Sequence, residues 1–330
     1  KHLLTLGIDV NRVSKWKRTA LTAALEHGWM EGAQALISAG ADVTLAKGAL
    51  QRVVREGNLP VIKLLLENGV TADQNGETAL MHAVRSTKAK PEEILPLVLS
   101  LCKDTLEARD SQGKTVLFHA RDLATVKLLI AAGADVNARS NFGDSLLHSS
   151  AGSAELLAYY VEEGGLKVDC VNERKQTPLQ FAAAAKENLA GITYLVDKGA
   201  DINHGDRLGA TPLSWALSEK SDERLEYVKY LLASGADPNI PSPLECIKEA
   251  VTKDFEEALR LLVKSGMSLK TDPKEHYTPF WYAVFAKRPK YVTLLIELGA
   301  DPNAKNAVGK TALDIAKEFK NAEVIELLSR

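Results

Sequence analysis

The chain has 330 residues, 45% of them hydrophobic and 25% charged, with a formal net charge of -2. That balance argues against a disordered, collagen-like or strongly basic chain and matches an ordinary folded protein. Cys102, Cys170 and Cys246 lie far apart without C-x-x-C spacing, which speaks against a disulfide framework or zinc module, and no apolar run approaches the roughly 20 residues needed to span a bilayer. With no signal-peptide pattern either, an intracellular protein, cytoplasmic or nuclear and without membrane insertion, is expected.

Leu3-Leu4 followed by Gly7-Ile8-Asp9-Val10-Asn11 reads as the tail of an earlier unit, so the natural protein is expected to extend before Lys1. A basic stretch follows through Lys15, Lys17, Arg18, Lys47, Arg52 and Arg55, either a solvated face or a surface for an acidic partner. From there one pattern recurs at a period of roughly 33 residues, the mark of a stacked array. Helix starts are predicted at Thr19, Gly48, Thr78, Thr115, Ser145, Thr177, Thr211, Ser242, Thr278 and Thr311. Thr or Ser there caps an orphan backbone amide, and Pro178, Pro212, Pro243 and Pro279 have φ already set for a first helical turn.

A second helix in each unit shows apolar residues at helical spacing, as in Val126, Leu128, Leu129 and Ile130 or Val292, Leu294, Leu295 and Ile296. It stops at a glycine expected in the left-handed region: Gly40, Gly69, Gly133, Gly199, Gly235, Gly266 or Gly299. An Asp-x-Asn segment and a polar tip such as Asn141-Phe142-Gly143-Asp144 come next. Too few residues separate Val43 from Gly48, and Asn239 from Ser242, for a full tip. The Lys88–Pro91 insertion and extra residues around Ser218–Leu225 are expected to lengthen loops between paired helices.

Thr177-Pro178-Leu179 with Ala182, and Thr211-Pro212-Leu213 with Ala216, resemble the T-P-L-H-x-A signature of the ankyrin repeat family. The resemblance covers essentially the whole chain and implies an all-α dominated ankyrin-repeat solenoid with short β-hairpin loops. Residues 1–330 then form a single, elongated and curved array of about ten repeats plus a partial N-terminal one. The signature His stands only at His148; Thr22, Gln51, Met81, Phe118, Gln180, Ser214, Glu245, Trp281 and Asp314 replace it elsewhere, so bracing by that imidazole should be mostly lost.

His82, His119 and Cys102 could in principle converge. Phe181, Trp215, Tyr282 and Ile315 at the equivalent slot make it a packing position, so no catalytic, cofactor-binding or metal residue is assigned. Tyr159, Tyr194 and Tyr230 share one second-helix position, Tyr227 and Tyr291 another, and both are expected in the core. Trp281 and Phe285 share a helix face at i and i+4.

In the family, tips and first helices line a concave binding groove. The resemblance therefore implies a non-enzymatic scaffold for a protein or peptide partner, contacted by Trp16, Phe142, Leu208, Tyr277, Trp281 and Phe285 with rim charge from Arg174, Lys175 and Arg207. An aromatic pocket reading modified lysine or a small ligand, and a regulatory arm of an enzyme encoded outside this segment, stay open as alternatives. One basic tip on a chain of net charge -2 does not make nucleic acid the expected partner, and the sequence assigns no oligomeric state.

Overall fold

The computed structural model describes residues 9–16, 18–73, 75–86, 90–240, 243–270 and 279–329. Its internal contacts form two units, Lys1–Leu146 and Leu147–Arg330. In the first, helix pairs follow one another as α1 (Ala20–Glu26) and α2 (Met30–Ser38), α3 (Lys47–Glu56) and α4 (Leu59–Glu67), α5 (Ala79–Val84) and α6 (Pro91–Cys102). A 3-10 turn, Val116–His119, then precedes α7 (Leu123–Ala131). First helices pack in one row, α1 on α3 on α5, and second helices in another, α4 on α6 on α7. Each unit of the repeat thus covers the apolar face its neighbour cannot bury alone.

The second unit opens within α8 (Leu146–Ser149) and continues through α9 (Ala154–Glu162), α10 (Pro178–Ala184), α11 (Leu189–Asp197), α12 (Pro212–Ala216), α13 (Asp222–Ala233), α14 (Pro243–Thr252), α15 (Glu256–Lys264), α16 (Pro279–Phe285), α17 (Pro289–Glu297), α18 (Ala312–Glu318) and α19 (Ala322–Leu328). The rows recur, with α10, α12, α14, α16 and α18 as successive neighbours. Second helices bury a helical stripe such as Ala258, Leu259 and Leu262 of α15.

The predicted helix starts at Thr19, Thr78, Thr177, Thr211 and Thr311 are observed N-caps, whereas α3 already starts at Lys47, before the predicted Gly48. Thr19, Thr78, Thr211 and Thr311 accept the backbone N–H three residues on. Ser242 and Thr278 lie outside the described residues. All seven predicted exit glycines have positive φ, from +82° to +105°. Three expectations need correction. Only 7 positions separate Thr115 from the N-cap Asp122 and 8 separate Ser145 from Ser153, against 10 from Thr19 to Trp29. Too little chain remains for two helical turns, so a 3-10 turn and the single-turn α8 stand there. The extra residues near Ser218–Leu225 extend α13 to 12 residues, against 9 in α11, rather than only lengthening its loop. The expected β-hairpins are tight turns: among the described residues the one β-bridge pairs Ala72 with Thr78.

Successive units are also joined by side-chain amides. Asn203 donates to the Gly235 carbonyl at 3.2 Å and accepts from the Asp237 N–H at 2.8 Å. Asn239 does the same with Gly266 and Ser268, and Asn11 with Gly40 and Asp42. In these three Asp-x-Asn segments the Asn is a two-point clamp on the next unit's turn.

Candidate binding surface

Six tips are built on the same hydrogen bonds. A first residue with a side-chain oxygen (Asp73, Asp110, Ser140, Asn172, Asp206 or Asn306) donates its N–H to the carbonyl four residues on, at 2.8–3.1 Å. Its side-chain oxygen accepts the N–H groups of the residues two and four places later. The residue three places on has positive φ: Gly76, Gly113, Gly143, Lys175, Gly209 and Gly309. Asp, Asn and Ser suit the first place because their short side chains bridge local backbone N–H groups.

The position two places on is left to point outward. It carries Asn75, Gln112, Phe142, Arg174, Leu208 and Val308 in these six turns, all exposed, and Trp16 stands two places after Ser14, which closes the first tip by donating to the Arg18 carbonyl at 2.8 Å. Trp16 is 73% exposed, Phe142 49%, Leu208 87% and Val308 59%. Exposed apolar side chains of this size suit partner contact, since covering them removes area worth about 25 cal/mol per Å². Val308 was missed from sequence, although its place in the turn matches that of Leu208. Tyr277 lies outside the described residues.

Charge surrounds two of these tips. Arg174, Lys175 and Arg207 are exposed, and the Arg207 N–H donates to the Arg174 carbonyl at 3.0 Å, tying the tips together. His204 Nε2 adds a 2.8 Å bond to the Lys175 carbonyl. At the first tip the basic cluster is partly neutralised, because Arg18 pairs with Glu26 while the Lys15 ammonium lies 5.0 Å from the Trp16 ring centre.

On the first-helix face of the second unit, His148, Phe181 and Trp215 form a ladder. His148 meets Phe181 edge-on at 5.3 Å, and Phe181 stacks on Trp215 at 5.7 Å. Phe181 and Trp215 are half-buried, so the packing slot expected from sequence also presents aromatic surface. His148 donates to the Gln176 carbonyl at 2.9 Å, bracing the next tip, and Gln180 donates in the same way to the Ala210 carbonyl. The bracing expected to be lost is therefore kept at Gln180 by an amide.

Trp281 is 2% exposed, which overturns the expectation that it faces a partner. It sits where the first helix begins, the position at which Met81, His148, Gln180 and Ser214 are also buried. Phe285, at the far end of α16, is exposed and meets Phe319 edge-on at 5.3 Å. An aromatic pocket built on Trp281 loses one wall. Tyr227 and Tyr291 are core as expected, but Tyr159, Tyr194 and Tyr230 are only half-buried, and Tyr194 hydrogen-bonds Glu162 beside Lys198.

His82 and His119 each bond the first residue of their own tip: His82 Nε2 to Asp73 at 3.1 Å and His119 Nε2 to Asp110 at 3.0 Å. Burial lowers both imidazole pKa values, against the opposing pull of those carboxylates. Burial by itself would raise the Asp110 pKa, but the N–H groups of Lys114 and Gln112 and the His119 ring outweigh it and hold the carboxyl below its usual range. Asp73, Glu77 and His82 offer ligand atoms within 4.8 Å of one another, yet the Arg85 guanidinium stands 2.7 Å from Glu77, where a cation would need to sit. Cys102 and Cys246 are buried thiols, pushed up to about 11 and about 12 mainly by desolvation. No helix among the described residues is long and apolar enough to cross a membrane.

Comparison with known proteins agrees with this architecture. The family described as ankyrin repeats (3 copies) matches residues 33–103, 50–140, 146–242 and 247–330. The chain is similar to a mitochondrial disaggregase of Bos taurus, 32% identical over 44% of this chain and 21% of that protein. It is also similar to the E3 ubiquitin-protein ligase KEG of Arabidopsis thaliana, 26% identical over 82% of this chain and 18% of that protein. The palmitoyltransferase ZDHHC13 of Mus musculus is 28% identical over 73% of this chain and 38% of its own length. The chain thus spans well under half of each of these relatives. Among solved structures, the human ASB11 ankyrin repeat domain superposes with a TM-score of 0.51 at 26% identity, covering 62% of this chain and 92% of that domain. Repeats of this kind generally serve as protein-interaction modules. With helix pairs in two rows, left-handed exit glycines and tips in register, the chain belongs to the ankyrin-repeat family.

Proposed function

We propose that residues 1–330 form one array that captures a protein or peptide partner on its tips and first-helix face and has no catalytic activity of its own. The observation that carries this reading is the shared turn position at which Trp16, Phe142, Leu208 and Val308 are held outward, while the hydrogen bonds that close the turn use none of their side chains. Arg174, Lys175 and Arg207 supply charge beside Leu208, Phe285 adds an exposed aromatic on a first helix, and Tyr277 joins them from sequence. A turn fixed by its own hydrogen bonds loses little conformational entropy on docking. Affinity capture from a lysate with the intact chain, compared with a Phe142→Ala, Leu208→Ala, Val308→Ala variant, tests it. Loss of the captured partners is expected, and an unchanged set would place binding elsewhere.

A second reading is that the array is the regulatory or substrate-docking arm of a longer enzyme. It is favoured by relatives named as a ligase and a palmitoyltransferase, of which this segment matches only 18% and 38%. The full-length transcript of the gene distinguishes the two.

A further inference from the structure

The tip that departs from the common turn is the one at Asn172. Its left-handed position, filled by glycine in the other described tips of this form, is Lys175 at φ +58°. A side chain there is strained, and strain kept at an exposed position points to a use for that side chain. The ammonium belongs to a cluster. Arg174 precedes it, Arg207 follows across the 3.0 Å bond between the two tips, and Leu208 beside Arg207 is 87% exposed. Among the described residues no carboxylate lies within 4.0 Å of these three cations, while the Asp206 carboxylate is occupied by the N–H groups of Leu208 and Ala210. Exposed Glu173 and half-buried Asp206 are the two opposing charges in the two turns, against three cations.

Resting on the reading of the array as a partner-binding surface, we propose that the paired tips 172–175 and 206–209 dock an acidic peptide segment carrying an aliphatic or aromatic anchor. Its carboxylates meet Arg174, Lys175 and Arg207 and its anchor covers Leu208. Three cations set the sign of the partner, and two of them are guanidiniums, which grip carboxylates in a bidentate fork. The apolar group is aliphatic and offers no stacking ring for a nucleobase, which favours a peptide over single-stranded nucleic acid.

The test is selection of a phage-displayed library of random 12-residue peptides on the full chain, followed by fluorescence anisotropy with the selected peptides. The recovered peptides should be net acidic and carry a large apolar residue. Their affinity should fall at least tenfold for the Arg174→Glu, Lys175→Glu, Arg207→Glu variant, several-fold for Lys175→Gly, and with added salt. Circular dichroism checks that each variant is folded. Neutral or basic peptides, acidic peptides that bind the charge-reversed variant within threefold, or equal competition by an oligo-dT strand would each overturn the proposal. If binding is instead abolished by Phe181→Ala with Trp215→Ala and unaffected at these tips, the acidic site fails while partner binding by the array survives. No enriched peptide at all would count against both.

Discussion

Arg224 offers a quantitative test of how neighbouring units are joined. The side chain is 3% exposed on α13, and its guanidinium donates to the carbonyls of Ala183 and Ala184, the last residues of α10, while lying 5.4 Å over the Tyr227 ring. The last carbonyls of a helix have no partner within it and carry the negative end of its dipole, so a buried cation there serves as a cap. Each hydrogen bond to a charged donor contributes about 1.5–3 kcal/mol. Two give about 3–6 kcal/mol gross, from which the cost of keeping a guanidinium out of water must be subtracted. Ala184 is also half-exposed, so water can replace part of its bond. Arg224→Met, which retains the apolar stem, should therefore cost about 2–4 kcal/mol. Arg224→Lys, able to reach one carbonyl at a time, should recover about half. Because coupling in a repeat array is between neighbours, hydrogen exchange followed by mass spectrometry should show amides of 178–197 exchanging roughly 30- to 700-fold faster, taking about 1.4 kcal/mol per decade. Exchange within threefold of the parent chain, with an unchanged urea midpoint, would refute the cap.

Other expectations follow from the turns. A Cβ on Gly113, at φ +73°, would lie 2.8 Å from the Asn141 backbone nitrogen, whereas one on Gly309, at φ +75°, meets nothing within 4 Å. Gly113→Ala should cost about 2–4 kcal/mol and Gly309→Ala about 1 kcal/mol in urea unfolding; equal costs would mean that close approach between tips has no weight. Lys175→Gly should stabilise the chain by about 1 kcal/mol through relief of the left-handed backbone, and a lower urea midpoint would contradict that strain. The folded-state pKa values of His82 and His119 lie below their ordinary value of about 6.5. The unfolded chain thus binds more protons, stability is complete above about pH 6.5, and it falls as pH drops below that value. Replacing both with Gln should flatten this part of a thermal-shift profile against pH, leaving a further fall below about pH 3.8 from Asp110. An unaltered slope near pH 6 would exclude the imidazoles as its cause.

The period, the caps and the exit glycines were legible because each is a local backbone requirement met by a particular residue type: Thr at Thr211, Pro at Pro212, Gly at Gly235. The exposed tips Trp16, Phe142 and Leu208 followed from the register of the repeat. What sequence did not give was decided by packing. Trp281 and Phe285 share a helical face by spacing, but Trp281 is buried near the start of α16 and Phe285, its last residue, is exposed. The Tyr159, Tyr194 and Tyr230 position recurs like a core position, yet Tyr194 lies where a phenol can meet Glu162 and Lys198. Recurrence marks an equivalent place in the stack and leaves its exposure open. The helix shortened after Thr115 is legible in the count of residues to Asp122.

The outward position of each tip turn makes no hydrogen bond with its side chain in closing that turn; its backbone N–H does that work whatever the residue. Aromatic, aliphatic and cationic residues have accordingly come to occupy one and the same place, as Phe142, Leu208 and Arg174 show. Drift at these places is nearly silent for folding, so, on the proposal that partners dock there, a lineage could exchange one partner for another by successive single substitutions without passing through an unfolded ancestor.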